Sequence, residues 1–142
     1  MIAGSLATGR VFLARLPRGT DLVEGITTFC VGNNIRLATV QAIGAVEKAV
    51  FGYYQQSNRE YETWTLERPL EIVSLLGNIS LLDNLPFLHA HIIFGDEKGQ
   101  TLGGHLFKGT LVFSCEFKVT ELTGAGRVRG PDPDTGLPLW GL

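Results

Sequence analysis

The chain has 142 residues, 44% hydrophobic and 18% charged, with a formal net charge of −2 and a pI of about 5.9. That balance suits one domain with a sizeable core and excludes a disordered chain. No run of Lys or Arg marks a phosphate-binding stripe, and no apolar stretch approaches the roughly 18 residues of a membrane span.

In chain order, Arg10 to Leu16 alternates loosely and stops at Pro17-Arg18-Gly19, a turn. Asp21 opens a helix, with Glu24 three residues on in a variant of the capping box. Leu22, Ile26, Phe29 and Cys30 line one face of that helix, and Gly32-Asn33-Asn34 ends it. Ile35 to Ile43 is β-branched and apolar enough for a strand buried on both faces, broken at Gly44. Val46 to Tyr54, Tyr61 to Leu66 and Leu70 to Leu82 follow as strands, and Leu81 to Leu85 offers a short turn. Leu111 to Leu122 predicts a strand with one buried face, carrying Leu111, Phe113, Cys115, Phe117 and Val119 against an outward Val112, Ser114, Glu116, Lys118 and Thr120. The division expected is an N-terminal segment 1–9, a domain 10–122 and a Gly/Pro-rich tail 123–142. The apolar end of that tail, Leu137 to Leu142, either folds back on its own domain or docks on a neighbouring subunit. Together these elements predict an α+β fold, mainly antiparallel sheet with one or two packed helices. Met1 to Ser5 has neither a basic n-region nor a sustained apolar h-region, so cytoplasm is the expected compartment. Cys30 and Cys115 sit in apolar surroundings and read as buried, reduced thiols.

All three histidines of the chain fall between the last two of these strands, in His89-Ala90-His91 and Gly103-Gly104-His105. Strand side chains alternate with period two, so His89 and His91 point one way while Leu88, Ala90, Ile92 and Phe94 point the other. Gly95-Asp96-Glu97-Lys98-Gly99 supplies turn chemistry. Pairing Phe94 with Gln100 across that loop sets His105 opposite His89 and Gly103 opposite His91, with three imidazoles on one face. Gly103 and Gly104 remove side-chain bulk beside the cluster at a cost in strand stability, and a bulge there would turn His105 away. Three imidazoles and a water resemble an open zinc site; partly buried, hydrogen-bonded histidines are the alternative.

Pro17-Arg18-Gly19-Thr20-Asp21-Leu22-Val23-Glu24, Gly44-Ala45-Val46, Leu70 to Ser80, His89-Ala90-His91 and Gly103 to Thr110 occur in the order found in the PPC (plants and prokaryotes conserved) domain, which this chain resembles over about residues 10–122. The resemblance is to the stand-alone prokaryotic type, without an AT-hook. It implies a domain that assembles as a homotrimer, with a metal, commonly zinc, on the histidines matching His89, His91 and His105. Plant relatives join the domain to minor-groove AT-hooks with an Arg-Gly-Arg-Pro core; here Arg127-Val128-Arg129-Gly130-Pro131 lacks that core and is followed by Asp132 and Asp134, which oppose phosphate binding. In plant members the stretch matching Glu67 to Ser74 is associated with protein partners, and here Pro69-Leu70 departs from its usual Arg-Phe. Three readings follow. One is a trimeric zinc-binding module acting through a small-molecule or protein ligand. Another is a zinc-dependent enzyme on a small substrate, with Glu47 and Glu71 the carboxylates available as general base and no catalytic residue designated. The last is a DNA-binding protein, which the charge supports weakly.

Overall fold

Period-two patterning dominates the chain, and the computed structural model, which describes residues 3–140, turns it into nine strands and one helix among the described residues. They are β1 (Ala7–Leu16), α1 (Leu22–Gly32), β2 (Ala38–Gln55), β3 (Glu60–Leu66), β4 (Leu70–Leu82), β5 (Leu85–Gly95), β6 (Thr101–Leu106), β7 (Leu111–Thr123), β8 (Arg129–Pro131) and β9 (Pro138–Trp140). Of the apolar terminal run, Gly141 and Leu142 lie outside the described residues, as do Met1 and Ile2.

The main sheet is antiparallel, in the order β1-β7-β2-β4-β5-β6, with β3 hydrogen-bonded to β2. The far half of β2 returns to pair with β6 at Phe51–Leu106 and Gly52–His105, so β2, β4, β5 and β6 form a closed ring of pairings. One helix, not two, covers the sheet. The Asp21 carboxylate caps it by accepting the Glu24 N–H at 2.9 Å, and Leu22, Ile26 and Cys30 are fully buried. Phe29 sits edge-on between Phe12 and Phe117, with ring centroids 5.4 and 5.2 Å away. No helix of the described residues is long and apolar enough to cross a membrane. Both thiols are free and buried, and burial pushes the pKa of Cys30 and of Cys115 up to about 11.

Two expectations about strands are corrected. Gly44 does not break β2; it takes φ 146° at a bulge where the pairing with β4 shifts register, and a Cβ there would collide with the Ser114 carbonyl oxygen. The strand bends and continues. On β7, Val112 is fully buried whereas Phe113 is 51% exposed under the Arg18 guanidinium, which lies 5.0 Å from its ring centroid. Register shifts opposite Ala45, Val46 and Lys48 exchange the faces of β7 there, and regular alternation resumes from Cys115.

The helix-distant face of the sheet is largely open. Direct cross-strand neighbours share a face, which places Leu13, Lys118, Gln41, Leu76, His91 and His105 in one row across six strands. Leu13, Ile43 and Leu76 are exposed on this face, Leu13 by 84%. The row thus runs from Leu13 through the exposed polar side chains of Lys118 and Gln41 to Leu76 and ends in histidine.

Candidate metal centre

His89 and His91 project from β5, and Leu88, Ala90, Ile92 and Phe94 on its other face are buried in the core, as the alternation predicts. The register differs from expectation by two positions: His91, not His89, stands opposite His105, and Gly103 stands opposite Ile93. The cause is Asp96. Its Oδ1 accepts the N–H groups of Lys98 and Gln100, each at 2.9 Å, and its own N–H donates to the Gln100 carbonyl at 3.0 Å. The loop therefore begins at Asp96, and Gly95 pairs with Thr101. A two-residue displacement leaves every side chain on its original face, and β5 and β6 pair without a bulge, so all three imidazoles still converge.

They form a near-equilateral triangle, with ring centroids 5.5 Å apart for His89–His91 and His91–His105, and 5.1 Å for His89–His105. One candidate ligand nitrogen from each lies within 4.8 Å of the others. Tetrahedral zinc with bonds of about 2.0–2.1 Å holds its donors roughly 3.3 Å apart, so small ring rotations would complete the set. His89 and His105 are partly buried and His91 is exposed. Burial, with smaller contributions from Arg129 and the neighbouring histidines, lowers the pKa of His89 and His105 to about 4. Both are neutral at pH 7, with the lone pair a metal requires. Tyr61 and Phe107 wall the His105 ring, with centroids 5.0 and 4.8 Å away.

The glycine pair has another purpose than clearing space for the imidazoles. A Cβ on Gly104 would strike the Gly52 carbonyl oxygen where β6 meets β2, and one on Gly103 would strike the Ile92 carbonyl oxygen. Both residues allow close backbone approach. Glu47 and Glu71 are not part of the cluster. Glu47 pairs with Arg18, and each carboxylate lies about five strand positions, roughly 16 Å, from the residue paired with a histidine, Gly52 or Leu76.

Sequence reasoning missed Arg129. The terminal segment folds back on its own domain as the β8-β9 hairpin, with Val128 bridging to Leu81. Arg129, on β8, turns inward and is 7% exposed. Its Nε donates to Ser80 Oγ at 2.8 Å, Nη1 to the Pro138 carbonyl at 3.0 Å and Nη2 to Asn78 Oδ1 at 2.8 Å, and Nη2 lies 3.4 Å from His89 Nδ1. Burial lowers its pKa. Asn78 and His89 are cross-strand partners, so one row of the sheet presents both to the tail.

A ringed antiparallel sheet carrying a three-imidazole cluster on its helix-free face defines a β-domain able to hold a metal ion. The chain matches the Plants and Prokaryotes Conserved (PCC) domain over residues 3–123 and belongs to that family. A metal-containing protein from Archaeoglobus fulgidus is 45% identical in structural alignment, covering 99% of each chain with a TM-score of 0.94. A plant- and prokaryote-conserved protein from Pyrococcus horikoshii is 37% identical, covering 100% of this chain and 98% of its own, also at 0.94. A Ralstonia eutropha protein proposed to bind DNA is 26% identical over 92% of this chain and 90% of its own, at 0.80. In sequence, the bifunctional protein GlmU of Synechococcus sp. (strain JA-3-3Ab) is 30% identical over 135 residues, 92% of this chain but 20% of GlmU. The chain thus spans about a fifth of that curated relative.

Proposed function

We propose that this PCC-domain protein binds one zinc ion per chain through His89, His91 and His105, and that it acts as a homotrimer whose metal face receives a small-molecule or protein ligand. The observation that carries the reading is the triangle of imidazole nitrogens within 4.8 Å, two of them on histidines held neutral by burial. Three protein ligands would leave one zinc position for water or a ligand, an electrophilic centre in either case. Leu13, Ile43 and Leu76, exposed on the same sheet face as the histidines and interleaved with Lys118 and Gln41, support self-association, since exposed large apolar side chains grouped on one face and rimmed by polar ones mark an interface. Two buried free thiols fit a reducing compartment such as the cytoplasm. Metal analysis of protein purified without a nickel column is expected to give about one zinc per chain. His89→Ala is expected to lose most of it; full retention would refute the assignment.

DNA binding is the second reading, favoured by the description of the Ralstonia protein. A net charge of −2 and the inward Arg129 count against it. Duplex binding near ~150 mM salt with a measurable salt slope would restore it. An enzymatic reading would need a general base other than Glu47 or Glu71.

A further inference from the structure

Among the described residues, Arg129 carries a buried positive charge with no anion beside it. Every hydrogen-bond partner it has is neutral: Ser80 Oγ, the Pro138 carbonyl, Asn78 Oδ1 and His89 Nδ1. The Phe87 and Trp140 rings lie against it, with centroids 5.7 and 5.5 Å from Cζ. It makes no ion pair among the described residues. A buried charge is ordinarily paired, because desolvating it alone is costly. The imidazoles beside it offer no negative charge, and a divalent metal on them would add two more positive charges. The local balance calls for an anion.

The space for one is present. A cavity of about 370 Å³ is lined by Asn78, His89, Arg129, Leu139 and Trp140. Its walls are apolar except where Arg129, Asn78 and His89 meet. A single guanidinium, without a second Arg or a Lys in the lining, suits a monoanion such as a carboxylate, which would take the Nη1 N–H not used by the Pro138 carbonyl or displace one of the neutral partners. Leu139 and Trp140 suit a short hydrocarbon body. We infer that this cavity is a binding site for a small organic monocarboxylate, held by Arg129 and, when zinc is bound, by the metal as a second anchor. The second anchor rests on the metal reading proposed above; the Arg129 contact does not.

The test uses cobalt(II)-loaded full-length protein, whose visible spectrum reports a new ligand at the metal, titrated with propionate and pyruvate and, as controls, propionamide and inorganic phosphate. Propionate or pyruvate is expected to change the spectrum saturably, and propionamide is not. Arg129→Met is expected to weaken the carboxylate at least roughly tenfold at unchanged cobalt content, with Arg129→Lys in between. No response of the wild type to either carboxylate, tighter binding of phosphate, or equal affinity in Arg129→Met overturns the inference. If the wild type takes up no cobalt, the metal reading alone fails, and the melting temperature of metal-free protein is read with propionate instead. A rise that Arg129→Met abolishes then supports the site, and no rise overturns it. Should Arg129→Met not fold, the wild-type titrations and Arg129→Lys decide.

Discussion

Asp21 and Thr110 explain why two of the ordered motifs, far apart in the chain, belong together. The Asp21 carboxylate caps α1 and also accepts the Gly109 N–H, while Leu22 N–H donates to the Thr110 carbonyl at 2.9 Å. The fully buried Thr110 hydroxyl accepts the Val50 N–H at 2.9 Å. Helix start, β2 and the turn after His105 are thereby tied into one corner, which fixes where β6 ends. His89 and His105 carry a pH signature. Their folded pKa values of about 4 lie below the ordinary 6.5, so the unfolded chain binds protons more readily. The stability they contribute is fully present above about pH 6.5 and is lost as pH falls toward 4. Metal-free protein is therefore expected to melt at progressively lower temperature across that window, and His89→Gln/His105→Gln to melt with a shallower dependence; identical slopes would contradict the burial argument. Sequence made the shared face of the three imidazoles legible because period two is a local rule. Arg129 was not legible, because its partners Asn78 and Ser80 lie 51 and 49 residues away and only the folded tail brings them near.

Among the elements, the histidine hairpin shows how far local reasoning reaches. A five-residue loop was recognisable from its composition, but the choice between starting at Gly95 or Asp96 depends on which backbone groups the Asp96 carboxylate binds. That choice moved the pairing without moving a face. Gly44 and the shifts on β7 are the reverse case, where bulges exchange faces and simple alternation misassigns Val112 and Phe113. The β2–β6 contact gives a prediction at this scale. Gly104→Ala places a methyl against the Gly52 carbonyl, so it is expected to destabilise the fold by roughly 1–3 kcal/mol in urea denaturation and to weaken metal uptake by displacing His105. Unchanged stability and zinc content would mean that β6 approaches β2 less closely than described.

At the scale of the molecule, the row from Leu13 to His105 runs from the exposed leucines proposed for self-association to the histidines proposed for the metal, on one sheet face. Leu13→Glu/Leu76→Glu is expected to give monomers by light scattering while retaining about one zinc per chain; a persisting trimer would place the interface elsewhere. Sequence supplied the antiparallel class and the strand series but not the ring, because β2 changes partners from β4 to β6 along its length and no local pattern encodes that. The tail has a further consequence for the order of assembly. His91 and His105 meet within one hairpin, whose short loop closes at little entropic cost, whereas Arg10 reaches Glu121 across 111 residues and Arg129 reaches Asn78 across 51. The pairing that brings His91 to His105 is thus a local one, whereas the cavity beside it is completed only when the distant tail docks on β4.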